Sequence, residues 1–149
     1  SSLTLETFGL GAAIIEWVEH KIKPEYGLVV DVVDKHDRGR IGHLQRVILF
    51  RNVRELLTNV MKHARADKAT VLLEQEEGAI RVTVNDNGIG FNPEQRQRNV
   101  SPNGGLGLFS IQERLSDLDG SLVIESRAHY GTTIVMTAPH NETTEGVAR

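Results

Sequence analysis

The chain has 149 residues, enough for one domain with a buried core and too few for two ordinary ones. Hydrophobic residues at 39% against 25% charged, with 14 glycines and 4 prolines, exclude a disordered or fibrous chain. The formal charge of −3, from 17 basic and 20 acidic side chains, disfavours general nucleic-acid binding. The lack of cysteine excludes disulfides and thiolate metal sites and suits a reducing, cytoplasmic setting.

No run of about 18 apolar residues occurs and no basic-then-apolar leader is present, so the fragment is expected to make no membrane contact. A first residue of Ser1 instead of Met is read as a piece of a longer parent, which membrane anchoring would also suit.

Phe8, Ala12, Ile15, Val18 and Ile22 recur at spacings of three and four up to Pro24 and Gly27, which predicts an N-terminal helix ending by residue 24. Leu28 to Val33 is a β-branched run of strand length, followed by a polar loop from Asp34 to Gly42. Leu44, Val47, Ile48, Val53, Leu56, Leu57, Val60, Met61 and Ala64 then predict a long helix from His43 to Ala66 with one buried face. Ala69, Val71 and Leu73 alternate with polar neighbours. Beyond a turn at Glu76, Glu77 and Gly78, Ile80, Val82 and Val84 alternate again, a hairpin.

From Gly88 to Gly107 the apolar period vanishes. A long loop of this kind in a compact domain is usually functional or mobile. Leu108, Ile111, Leu115 and Leu118 restore a helix that stops at Gly120, and strands follow at Leu122–Ser126 and Thr132–Ala138. The tail from His140 is expected to fray, leaving residues 141–149 flexible and one domain over residues 1–140. Three main helices and five strands without strict alternation favour an α+β two-layer sandwich: helices on one face of a mixed, mostly antiparallel sheet.

Three features carry chemistry. On a helical wheel with Glu55 at zero, Asn59 falls at about 40°, Lys62 at about −20° and His63 at about 80°, away from Val53, Leu56, Val60 and Ala64 at roughly 100–180°. This compact polar edge offers a base, a hard oxygen ligand for Mg²⁺ and a cation for phosphate, and it equally suits a solvated helix face. Second, period two puts Asp86 on the buried face of its strand with Ile80, Val82 and Val84. A carboxylate there needs a donor, such as the amino group of adenine, unless it caps the turn at Asn87, Gly88 and Gly90. Thr132, in phase with Ile134 and Met136, turns its hydroxyl inward in the same way. Third, Asn103-Gly104-Gly105-Leu106-Gly107-Leu108 leads into a helix, an arrangement that suits phosphate or a plain glycine turn.

Together these motifs resemble the GHKL ATPase superfamily. Glu55-Leu-Leu-Thr-Asn59-Val-Met-Lys62-His63-Ala is similar to its N box, Asp86-Asn-Gly88-Ile-Gly90-Phe91 to the G1 box and Gly104-Gly105-Leu-Gly107-Leu108 to the G2 box. The continuation Leu108-Phe-Ser-Ile-Gln-Glu-Arg-Leu115 looks most like the catalytic domain of sensor histidine kinases of the NarL/DesK type. The resemblance covers about residues 43–139 and implies a Bergerat fold with residues 3–24 as its first helix.

It further implies ATP and Mg²⁺ as ligands, with Asn59 holding the metal and Asp86 reading adenine beside the close-approach glycines Gly88 and Gly90. Lys62 and His63 would lie near the phosphates, Gly104, Gly105, Gly107 and Leu108 would cradle the triphosphate, and Thr132 would complete the pocket. Residues 91–103 would form an ATP lid, with Arg96 and Arg98 reaching phosphate. Glu55 would orient a proton or the metal instead of acting as the hydrolytic base that its counterpart is in the superfamily's hydrolases.

The family donates its γ-phosphoryl group to a histidine on a separate dimerisation domain, from which a response regulator takes it. None of His20, His36, His43, His129 or His140 stands in such an acceptor context. His20 reads as a surface residue, and His36 with Asp37 as a solvated loop pair instead of a metal site. Two rival functions remain at this point: an anti-sigma-type serine kinase, and an ATP-sensing interaction module without catalysis.

Overall fold

A computed structural model describes residues 1–22, 24–90 and 107–140. The first helical region is two helices, α1 (Ser2–Phe8) and α2 (Leu10–Lys21), and not the single helix expected over 3–24. Gly9 separates them with φ 94°, a conformation that side-chain-bearing residues avoid. The break resets the phase. Leu10, Ala13 and Ile14 are buried; of the predicted stripe Phe8 and Ile15 face solvent, whereas Ile22 is buried and Val18 is partly buried against the core.

Next come β1 (Val29–Lys35) and α3 (His43–Asn59), whose last residues run into a wider π-type turn over Val60–Ala64. That turn ends at Arg65, which takes the left-handed conformation. The hairpin β2 (Lys68–Glu76) and β3 (Ala79–Asp86) follows, then α4 (Leu108–Ser116), β4 (Ser121–Ser126) and β5 (Thr132–Pro139). The buried side of α3 is Leu49, Phe50, Val53, Leu56 and Leu57, whereas Leu44 and Val47 are exposed. The helix is long enough for its apolar face to be read one residue out of phase at its start.

One five-stranded sheet has the order β1-β2-β3-β5-β4. β1 and β2 run parallel and all other neighbours antiparallel. Strict alternation puts Val71, Leu73, Ile80, Val82, Met136 and Ala138 on the face that α2, α3 and α4 cover. The layers are therefore the mixed-sheet sandwich the sequence predicts. The end of β5 is tied to the start of α3, since the Gln45 amide donates to Pro139 O. His140, expected to fray, is buried, and its N–H donates to Gly78 O at 2.9 Å. The tail over 141–149 lies outside the described residues.

Candidate functional site

β3 is the central strand, and Asp86 is its last residue, facing the helix layer between Ala69 of β2 and Thr132 of β5. It is 7% exposed. Gly88 N–H donates to Asp86 Oδ1 at 2.8 Å, so the turn-capping role considered from sequence is real. Burial outweighs it: desolvation pushes the carboxyl above the ordinary aspartate range, and the N–H groups of Gly88 and Thr132 offset this only in part. Thr132 Oγ1 lies 2.8 Å from Ser126 Oγ on neighbouring β4.

The chain approaches itself closely around this carboxylate. A Cβ on Gly88 would stand 2.1 Å from Ala64 O, and one on Gly90 2.2 Å from Arg127 O. Ile89 N–H donates to Ala64 O at 2.7 Å and His129 N–H to Ile89 O at 2.6 Å. The close approach expected of these two glycines is thus to the chain's own backbone. It fastens the turn after β3 to the end of the α3 extension on one side and to the β4–β5 turn on the other.

At the other end of that contact an open cleft of about 580 Å³ is lined by Trp17, Arg51, Arg54, Glu55, Thr58, Asn59, Lys62, His63 and Gly107. Lys62 and His63 are exposed, Asn59 is half-buried, and Val53, Leu56 and Val60 are buried, as the helical wheel predicts. Gly107 begins α4 with φ 69°, beside Leu108, which is buried. Asp86, Gly88 and Thr132 do not line this cleft. The Ala64–Gly88 contact ties the turn after Asp86 to the chain one residue beyond His63 of the cleft wall.

Glu55 does not present a free carboxylate: Arg114 Nη2 is 2.6 Å from Oε2 and Arg51 Nε 3.6 Å from Oε1. Arg51, Arg54 and Trp17 line the cleft and were not among the residues singled out from sequence. Arg51 and Glu55, four residues apart on one helix face, carried the available signal. Gly104 and Gly105, the lid at 91–103 and its Arg96 and Arg98 lie outside the described residues.

His36 departs from the expected solvated loop. Its side chain is 1% exposed, with Nδ1 2.5 Å from Asp34 Oδ1. Among the described residues no group of three His, Cys, Asp or Glu side chains stands together as metal ligands would. No helix among them is long and apolar enough to cross a membrane.

A helix layer thus covers a five-stranded mixed sheet, with a buried carboxylate at the end of the central strand. A family model described as histidine kinase-, DNA gyrase B- and HSP90-like ATPase matches residues 45–142, and the chain belongs to this family. It is 31% identical over 137 residues to the signal transduction histidine-protein kinase/phosphatase DegS of Brevibacillus brevis, covering 92% of this chain and 34% of that one. It is likewise 31% identical over 137 residues to the oxygen sensor histidine kinase NreB of Staphylococcus carnosus, covering 91% and 38%.

The chain thus spans about a third of the length of the curated relatives it matches. In fold it is similar to the catalytic domain of the histidine kinase ThkA, with a TM-score of 0.73 at 21% identity, over 87% of this chain and 89% of that one. The domain is a histidine-kinase-like ATPase catalytic domain. These relatives are sensor histidine kinases and not anti-sigma kinases, which removes the serine-kinase alternative.

Proposed function

We propose that this domain, over residues 1–140 with a lid at 91–103, binds Mg·ATP and donates the γ-phosphoryl group to a histidine on the dimerisation domain of the same kinase. A response regulator then takes the group from that histidine. The exchange is assigned to the cytoplasm, where ATP and a cysteine-free chain both fit. The observation that carries the reading is Asp86, buried at the end of the central strand with its carboxyl pushed up by desolvation. A buried acceptor of this kind gains from the exocyclic amino group of adenine and penalises a base that lacks one.

In this reading the triphosphate would occupy the cleft. There Lys62, Arg51 and Arg54 would supply positive charge and Gly107 backbone, and the motif assigns Gly104, Gly105 and Leu108 to the phosphates as well. Thr132 closes the base side, and His63 flanks the phosphates. Mg²⁺ would be held by Asn59, whose amide oxygen is a hard ligand of the kind this ion takes. When bound, Mg²⁺ supplies charge neutralisation at the β- and γ-phosphoryl oxygens. The chain's own part is positioning: Lys62 and Asn59 hold the triphosphate in line for an incoming imidazole, and Glu55 orients instead of acting as a base.

Nucleotide titration tests this. Asp86→Asn is expected to weaken ATP binding about 100-fold or more by removing the charged acceptor, and Asn59→Ala to abolish the Mg²⁺ dependence. Wild-type affinity in the first variant, or full Mg²⁺ dependence in the second, overturns the corresponding assignment. An ATP-sensing module would bind equally well but fail to label a histidine-bearing dimerisation domain in trans.

A further inference from the structure

Among the described residues the cleft contains one carboxylate, and the structure pairs it with two guanidinium groups. Glu55 sits between two guanidinium groups, Arg114 Nη2 at 2.6 Å and Arg51 Nε at 3.6 Å. The Arg114 contact is short but off the direction of a linear hydrogen bond, so it acts as charge pairing. What separates it from an ordinary surface pair, which contributes little, is the anchoring of the guanidinium. Arg114 Nε donates to Asn52 Oδ1 at 2.8 Å, and Asn52 is fully buried with its amide directed at Ile111 O at 3.5 Å.

Asn52 and Glu55 lie one turn apart on α3, so the planar fork of Arg114 spans two acceptors on one helix from its place on another. A Cβ on Gly107 would come within 4.0 Å of Glu55 Oε2. The paired carboxylate therefore lies under the residue where α4 begins.

We propose that Arg114 is a positioning residue of the nucleotide cleft, one that ties the last turn of α4 to α3 and, by pairing with the Glu55 carboxylate, keeps it from acting as a base toward water. The proposal rests on the nucleotide reading above. Its chemical consequence concerns the side reaction any phosphoryl donor faces. A released Glu55 beside a γ-phosphoryl group can take a proton from water while the water oxygen bonds to phosphorus and the bridging oxygen leaves with ADP. The clamp suppresses that hydrolysis and leaves the phosphoryl group for the protein acceptor.

The test uses the whole chain with Arg114→Gln, Arg114→Lys and the double variant Glu55→Gln/Arg114→Gln. Fluorescence of Trp17, the chain's one tryptophan and part of the cleft wall, reads Mg·ATP binding, and released phosphate reads hydrolysis. Arg114→Gln is expected to weaken binding about 5- to 20-fold and to raise phosphate release per bound nucleotide about fivefold or more, a split that general loosening of the fold does not produce. In the double variant, release falls back to the wild-type rate because the proton acceptor is gone.

Arg114→Lys keeps the charge but cannot span both acceptors. It is expected to stay folded and to raise release by an intermediate factor, which keeps the test decisive where Arg114→Gln unfolds. Unchanged release in a folded Arg114→Lys or Arg114→Gln, or a rise that persists in the double variant, overturns the proposal. A wild-type chain that fails to bind Mg·ATP overturns the function reading itself, and the clamp with it. Wild-type binding with inert Arg114 variants overturns the clamp alone.

Discussion

Asp86 stores instability for use. Because burial raises its carboxyl above the ordinary aspartate value, the stability it contributes is fully present below that value and is lost as pH rises through the elevated one. At neutral pH the folded, nucleotide-free chain therefore carries a charge it would hold more easily unfolded. Asp86→Asn keeps an acceptor for Gly88 N–H and removes the charge. It is expected to stabilise the free domain by roughly 0.5–2 kcal/mol at pH 7 even as it weakens ATP binding. The gain should shrink on acidification and vanish below about pH 3, where Asp86 is neutral in both states. Thermal melts of both proteins across that range check the sign, and a variant less stable than wild type at pH 7 contradicts it. Gly88 is constrained differently, by backbone: with Ala64 O 2.1 Å from a would-be Cβ, Gly88→Ala should cost about 2 kcal/mol or more and lower Tm by about 5 °C.

Between elements, α3 decides most of the site, because one helix carries the cleft on one side and the core on the other. Leu57 is fully buried and Leu44 is 57% exposed. Leu57→Ala is therefore expected to cost about 2–5 kcal/mol and Leu44→Ala less than about 0.5 kcal/mol, as denaturant midpoints would show. The contrast explains what was legible in the sequence. Strand positions alternate with period two, so Val71, Val82 and Asp86 have only two faces to choose between and all were placed correctly. A helical stripe is wide, and the phase at Leu44 and Val47 or across the break at Gly9 depends on which neighbours arrive from elsewhere in the chain. The same holds for His36, whose burial is made by tertiary packing, and for Arg114, whose partners Asn52 and Glu55 lie about 60 residues away in sequence. The faces on which Glu55, Asn59, Lys62 and Asp86 stand were readable because each lies on a periodic element whose direction the pattern fixes.

At the scale of the molecule, the sheet order sets where the buried carboxylate lies. Putting β3 in the centre brings its last residue against the helix layer, and the turn that follows is tied both to the α3 extension and to the β4–β5 turn. Three distant segments are thereby fixed around one carboxylate, so a ligand that bridges them should stabilise the whole domain. Mg·ATP at about 100 times its Kd is expected to add about 2.7 kcal/mol, or roughly 5–10 °C in Tm. A melt unmoved by saturating nucleotide would argue against a shared site. The most direct measurement is a calorimetric titration of the wild-type chain with ATP and with inosine triphosphate, which differs from ATP chiefly in presenting a carbonyl where adenine presents its amino group. Binding of ATP with inosine triphosphate weaker by about 100-fold or more is the predicted result, and equal affinity for the two would contradict the assignment of Asp86 as the reader of the base.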